Sequence, residues 1–135
     1  MRLDEVLVHL KSLADPKVAE FKQQKFGIVA NNSLGVFQKD LKALAQQIEK
    51  DDDLALDLYE TGIYEARLLT SRIYRPSKIT KTQMNKWAGD FENWEICDSF
   101  CMGFFTKSRY AIEQAINWSH DDREFVKRAA YVIMA

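Results

Sequence analysis

Asp98 is the side chain whose type and setting most suggest chemistry in this sequence. Trp94, Cys101 and Phe105 recur with it at helical intervals and make the rest of the shared helix face apolar and aromatic. Asn93 stands where it would cap this helix. A carboxylate on such a face must be hydrogen-bonded, be paired with a cation or be kept for chemistry, because an unpartnered buried charge is costly.

Arg128 is the candidate partner of this acid. It interrupts an apolar stripe of Phe125 and Val132 on the last predicted helix. The two charged residues could form an ion pair between neighbouring elements. Alternatively, both could point into one groove, with the carboxylate near a developing cation and the guanidinium near a phosphate. The residue types alone favour the ion pair.

The two cysteines suggest neither a disulfide nor a metal site. Cys97 and Cys101 lie four residues apart, so they share a helix face, but a regular helix holds such a pair poorly for a disulfide. His9 and His120 have no ligand-like neighbours in the sequence. We therefore expect two reduced cysteines used as small core residues, with no metal ion and no cofactor.

Helices are predicted along the whole chain, and they must position these side chains. No alternating apolar run is bounded by a hairpin turn, so no strand is predicted. Capping residues are expected at Asp15, in the acidic run 51–53, at Thr80, at Asn93 and at the acidic pair 121–122. The predicted helices cover residues 3–13, 16–26, 37–48, 52–60, 64–74, 81–87, 94–105, 109–118 and 123–134.

The spacing of three charged residues predicts a repeat. Glu65, Asp98 and Arg128 occupy similar places in the later helices of three successive helix pairs, separated by 33 and 30 residues. Helix pairs that recur in this way are typical of an α-solenoid, and the alternative is an irregular bundle with chance spacing. We therefore expect an all-α fold, an α-solenoid of antiparallel helix pairs, in a single domain over residues 1–135.

The basic residues between positions 66 and 89 form a second candidate feature. The net charge of −1 argues against indiscriminate nucleic-acid binding, yet this stretch contains no acid. A basic band there could follow a phosphate backbone, although a solvated basic face balanced by acidic neighbours explains it equally well. The candidate phosphate-binding residues are Arg67, Arg72, Arg75, Lys78 and Lys81.

Membrane insertion and secretion are not expected. No apolar run approaches the roughly 20 residues needed to span a bilayer. The first five residues are mostly charged, unlike a secretory signal. These features predict a cytoplasmic protein without a membrane partner.

An ordered series of segments resembles the DNA alkylation repair family of HEAT-like repeat proteins. The most specific of them is Trp94-Glu95-Ile96-Cys97-Asp98. The others are Phe26-Gly27-Ile28, Asn32-Ser33-Leu34-Gly35-Val36, the stretch 54–67, the stretch from Gln83-Met84 to Trp87, and Lys127-Arg128-Ala129-Ala130. Together they extend over essentially the whole chain.

The resemblance implies a right-handed arc of helical repeats whose concave, basic surface holds duplex DNA containing alkylated purines. Active members of the family are glycosylases that release N3- or N7-alkylated purines. Matching motif positions gives Trp94 the role of the first lesion-contacting aromatic residue. They make Asp98 the catalytic carboxylate and Arg128 the arginine that contacts the lesion or its backbone.

Two departures from the family pattern lead to a second expectation. Glu95 stands where the motif often has Asp, and the chain ends at Ala135, before the family's downstream repeats and their tryptophan. We therefore expect a fragment that self-associates through its apolar C-terminal helix, binds DNA weakly and excises bases poorly. The alternative function is a non-catalytic HEAT-like module that binds DNA or protein, with Asp98 and Arg128 as structural partners.

Overall fold

The computed structural model describes residues 1–135, and all of its regular structure is helical. Two short 3₁₀ turns, Pro76–Lys78 and Phe105–Lys107, join the α-helices. The α-helices are α1 (Leu3–Leu13), α2 (Pro16–Phe26), α3 (Gln38–Gln46), α4 (Asp52–Glu60), α5 (Tyr64–Ile73), α6 (Lys81–Gly89), α7 (Trp94–Cys101), α8 (Ala111–Trp118) and α9 (Glu124–Met134). The prediction of an all-α fold is confirmed.

Side-chain caps begin four of the helices, at the positions that the sequence predicted. Asp15 accepts a hydrogen bond from the backbone N–H of the second residue after it, and Asp51, Thr80 and Asn93 each accept one from the third. Each bond satisfies a backbone donor that the first helical turn leaves without an intrahelical partner. The start of α7, which carries Trp94 and Asp98, is fixed in this way by Asn93.

The predicted boundaries around the last helices need correction. Helix α7 ends at Cys101, so Phe105 lies in a 3₁₀ turn and not on the same helix as Asp98. Gly103 follows with a φ of 84°, a left-handed conformation that ends the helical path. The predicted cap of α9 is also wrong, because Asp121 binds the backbone N–H and the guanidinium of Arg123 instead.

The contacts divide the chain into two compact units, an N-terminal unit (Met1–Tyr74) and a C-terminal unit (Arg75–Ala135). In the N-terminal unit, α4 and α3 both pack against α5, and α1 contacts α4 and α5. Glu65 on α5 is fully buried, and its carboxylate accepts hydrogen bonds from Ser33 Oγ at 2.8 Å, Leu34 N at 2.8 Å and Gly35 N at 3.1 Å. This acid therefore holds the loop before α3 in place.

The C-terminal unit is built around an aromatic core. Phe100 lies at its centre, with its ring centroid 5.6 Å from that of Trp87, 5.9 Å from Phe104 and 5.8 Å from Phe105. The ring centroids of Trp118 on α8 and Phe105 lie 5.8 Å apart. Helices α6, α7 and α8 each pack against α9. Phe105 thus contributes to the core that supports α7, although it lies outside that helix.

Two buried thiols join α7 to α9. Cys97 Sγ lies 3.3 Å from the carbonyl oxygen of Phe125, and Cys101 Sγ lies 3.9 Å from that of Ala129. Each step of four residues along α7 matches a step of four along α9, so the two helices run in the same direction. Both cysteines are free and buried, which confirms their predicted role as small core residues. A hydrogen bond with Cys97 and burial together raise the pKa of the Cys101 thiol far above its ordinary value.

Candidate functional site

Asp98 and Arg128 form a two-pronged ion pair between α7 and α9. Arg128 Nε donates to Asp98 Oδ1 at 2.9 Å, and Arg128 Nη2 donates to Asp98 Oδ2 at 2.8 Å. This is the fork-to-fork geometry in which a planar guanidinium matches both oxygens of a carboxylate. The structure brings together the two charged residues that the sequence placed in successive helix pairs.

The ion pair lies at the protein surface. The side chain of Asp98 is 22% exposed and that of Arg128 is 44% exposed. The hydrogen bond to Asp98 raises the pKa of Arg128 above its ordinary value, so this guanidinium stays charged throughout the physiological range. Both side chains of the pair therefore remain partly accessible from solvent.

Trp94 is the first residue of α7 and lies one helical turn before Asp98. Its side chain is 36% exposed, whereas the next two residues of the helix are buried. An indole at this position can present part of its surface beside the ion pair, because residues four apart share a helix face. The structure thus places Trp94 and Asp98 on the same side of one short helix.

Two of the five predicted phosphate-binding residues are engaged inside the N-terminal unit. The Arg67 guanidinium stacks on the ring of Tyr59 at 4.6 Å, and its Nε donates to the Tyr59 carbonyl oxygen at 3.3 Å. Arg72 Nη2 donates to Gln38 Oε1 at 3.4 Å, and burial lowers the pKa of Arg72. These contacts give both arginines a packing role within their own unit.

The other three predicted residues belong to the C-terminal unit and are exposed. Arg75 and Lys78 flank or end the first 3₁₀ turn. Lys81 forms a 2.7 Å ion pair with Glu113, which raises the pKa of the lysine, and its ammonium lies 5.5 Å from the Tyr110 ring. Charge counting in the sequence could not separate these three surface cations from the two that pack inside the N-terminal unit.

Comparison with known proteins identifies the family of this chain. The sequence profile described as DNA alkylation repair enzyme matches residues 6–135. The chain belongs to the DNA alkylation repair enzyme family. A comparison with curated proteins found no match.

This member of the DNA alkylation repair enzyme family has the same fold as a solved structure. It is described as "A new family of proteins related to the HEAT-like repeat DNA glycosylases with affinity for branched DNA structures". The two align with a TM-score of 0.85 at 20% sequence identity, over 99% of this chain and 56% of that chain. At this identity the likeness establishes the HEAT-like repeat fold, and the chain spans little more than half the length of its structural relative.

The exposed side of α9 holds a residue of this family member that the sequence reasoning missed. Tyr131 lies three residues after Arg128, is 60% exposed and lines an open groove of about 500 Å³ together with the arginine. The signal was present in the sequence, because an aromatic residue three positions from Arg128 must share its helix side. Tyr131 was instead treated as part of the apolar C-terminal helix.

No group of three or more His, Cys, Asp or Glu side chains is placed to hold a metal ion. None of the helices combines the length and the apolar character that crossing a bilayer requires.

Proposed function

We propose that this chain carries the reaction site of an alkylpurine DNA glycosylase, which hydrolyses the N-glycosidic bond of N3- or N7-alkylated purines in duplex DNA. The observation that supports this best is the constellation of Trp94 and Asp98 one turn apart on α7, with Arg128 of α9 joined to the carboxylate. An aromatic side chain and an anion one turn apart on α7 are thus joined by a cation of α9 whose guanidinium is suited to phosphate. Membership of the DNA alkylation repair enzyme family supports the same reaction class.

The chemistry needs no proton donor for the leaving group, because the alkylated base already carries a positive charge. The bond between C1′ and the purine nitrogen breaks, its electron pair stays with the base, and the base leaves neutral without being protonated. The sugar gains oxocarbenium character, which the Asp98 carboxylate stabilises. A water then adds to C1′ and passes its proton to the carboxylate or to solvent. Trp94 contacts the lesion, and Arg128 holds the adjacent phosphate.

Release of 7-methylguanine from methylated duplex DNA tests this function directly. The wild-type chain is expected to release the base faster than the spontaneous loss measured in buffer and with an unrelated protein of similar charge. The same DNA without methylation should yield no free purine. Release at the spontaneous rate, from a folded chain that binds the duplex, would contradict the proposal.

A second candidate function is DNA binding without catalysis, and one observation favours it. Both oxygens of Asp98 are occupied by Arg128, so the carboxylate serves as a structural partner in this arrangement. The structural relative is described as having affinity for branched DNA. Tight binding to a DNA junction without any base release would identify this function.

Self-association through α9 stays a prediction, which the mass of the chain in solution tests.

A further inference from the structure

The two 3₁₀ turns of the C-terminal unit occupy corresponding positions in successive helix pairs. The first turn, Pro76–Lys78, precedes α6, and the second, Phe105–Lys107, precedes α8. Each turn ends in a lysine and is followed by a buried residue in extended conformation. The two turns pack against each other. The repeat therefore brings Lys78 and Lys107 to one edge of the unit at equivalent positions.

Cations that follow the two turns meet at one aromatic ring. The Tyr110 ring centroid lies 5.5 Å from the Lys81 ammonium, after the first turn, and 4.8 Å from Cζ of Arg109, after the second. Arg109 Nη2 also donates to the Tyr110 hydroxyl at 2.6 Å. We call Lys78, Lys81, Lys107 and Arg109 together the basic edge. Its members come from two separate parts of the sequence, and the fold places them side by side.

The positive charge of the basic edge is largely uncompensated. All four side chains are exposed. The stretches around the two turns contain no acid, at residues 66–89 and 99–112. Glu113 pairs with Lys81 at 2.7 Å and offsets one charge. The other three members of the edge form no ion pair with a carboxylate. Their charges are therefore open to an anionic partner from outside the chain.

A partner for this edge needs negative charge that recurs at short, regular intervals, because the cations stand at corresponding points of successive repeats. Packed helices lie about 8–10 Å apart. A DNA strand carries one phosphate for each ~3.4 Å of rise. One step between the two turns therefore spans about three nucleotides, and a phosphate falls close to each cation in any register of the strand.

We infer that the basic edge holds the backbone of one DNA strand, with Lys107 and Arg109 binding phosphates about three nucleotides from the phosphate bound by Lys78. The inference rests on the proposed function only in taking DNA as the partner, which membership of the DNA alkylation repair enzyme family supports. The sequence prediction included Lys78 and Lys81 and missed the two cations after position 100. Such contacts position the DNA without reading its bases.

Two other partners fit the basic edge less well. An extended peptide advances by about 3.3 Å per residue, but it carries negative charge only where its sequence has Asp or Glu. It therefore matches the edge in few registers, whereas a DNA strand is charged at every step. A two-fold contact with a second copy would place the basic edge against itself, and its uncompensated charges would repel.

Fluorescence anisotropy with a labelled, unmethylated duplex over a series of salt concentrations tests the inference. Lys107→Gln combined with Arg109→Gln should lower the slope of log affinity against log salt by about 2, because each lost phosphate contact no longer releases counterions. At a fixed salt concentration, binding should weaken by about 2- to 30-fold, the range of two exposed ion pairs. Lys107→Gln alone leaves the Tyr110 contacts intact and should lower the slope by about 1.

Two matched variants complete the experiment. Lys11→Gln combined with Lys17→Gln removes the same charge from exposed positions of the N-terminal unit and should leave the slope unchanged. Lys107→Arg combined with Arg109→Lys keeps both charges and should retain the wild-type slope. An unchanged slope in Lys107→Gln would overturn the inference. An equal fall in the Lys11 and Lys17 variant would overturn it too, because the slope would then report net charge alone.

Other outcomes separate this inference from the proposed function. If the slope depends on Lys107 but no 7-methylguanine is released, the basic edge holds DNA and the glycosylase proposal is wrong. If 7-methylguanine is released and the slope does not depend on Lys107, the proposed function stands and the edge assignment is wrong. If an oligoglutamate peptide of equal charge binds the edge as tightly as the duplex does, the assignment to DNA is wrong.

Discussion

Replacing Asp98 by asparagine keeps the shape of the side chain and removes its charge. In the wild type this carboxylate accepts two hydrogen bonds from Arg128, at 2.9 Å and 2.8 Å. In the variant one carbonyl oxygen can still accept from the guanidinium, while the amide nitrogen faces a donor. The substitution therefore tests whether the negative charge acts in the reaction, in the fold or in both.

The expected loss of stability follows from the exposure of the pair. Fully exposed pairs contribute up to about 1 kcal/mol, whereas breaking a buried pair costs roughly 3–5 kcal/mol. Asp98 is partly buried and Arg128 is nearly half exposed, so we expect a loss of about 1–2 kcal/mol. For a chain of this size, that corresponds to a fall of roughly 3–8 °C in Tm.

The expected loss of activity is much larger than the loss of stability would explain. Removing one group that stabilises transition-state charge typically lowers kcat by about 10²- to 10³-fold. Binding of unmethylated duplex should instead tighten by roughly twofold to fivefold. The variant loosens the contact that holds Arg128 and removes a negative charge from the surface. A twofold to fivefold change corresponds to roughly 0.5–1 kcal/mol, less than the expected loss of stability because the asparagine carbonyl still accepts one hydrogen bond from Arg128.

The assay compares Asp98→Asn with Asp121→Asn, at a temperature where both remain folded. Asp121 is also paired with an arginine, Arg123, whose hydrogen bonds lower the pKa of Asp121 to about 2, but it is not among the residues that line the open groove beside Arg128. Release of 7-methylguanine, Tm and duplex affinity are measured for each variant. If Asp98→Asn releases the base at the wild-type rate, the carboxylate is not catalytic. If both variants lose release in proportion to Tm, its role is structural.

Three further outcomes are expected. Replacing Arg75 and Lys78 together by alanine should weaken duplex binding and reduce the slope of log affinity against log salt by about 2, since each phosphate contact releases counterions. An unchanged slope would mean that these exposed cations face away from DNA. Glu65→Gln should lower the free energy of unfolding in urea by roughly 2–4 kcal/mol, because the buried carboxylate accepts three hydrogen bonds; a loss below about 0.5 kcal/mol would contradict this. Cys97 and Cys101 should resist iodoacetamide in the folded chain while reacting in urea, and mass spectrometry showing rapid native alkylation would be the contrary result.

Features with local causes could be predicted from the sequence. Thr80 and Asn93 act as caps because a short polar side chain can reach the N–H of the third residue after it, whatever the rest of the fold does. The contact between Asp98 and Arg128 depends on distant parts of the chain, yet the repeat made it foreseeable. Corresponding positions of successive helix pairs lie side by side when the pairs stack.

Features that depend on backbone breaks or tertiary contacts were missed. The apolar periodicity continued through Phe105, but Gly103 adopts a left-handed conformation that periodicity does not detect. Arg67 belonged to a run without acids, and nothing local indicated that its guanidinium would stack on Tyr59. Tyr131 was counted among the apolar residues of the C-terminal helix, although its spacing from Arg128 already placed it on the same helix side as that charged residue.

The two thiols between α7 and α9 determine how closely these helices approach. Each sulfur contacts a backbone carbonyl of α9 directly, so a bulkier side chain at either position would push the helices apart. Such a displacement would draw Arg128 away from Asp98 without altering either residue. In related proteins, a change of side-chain volume at these two buried positions can therefore alter the surface around Asp98 and Arg128 before any surface residue changes.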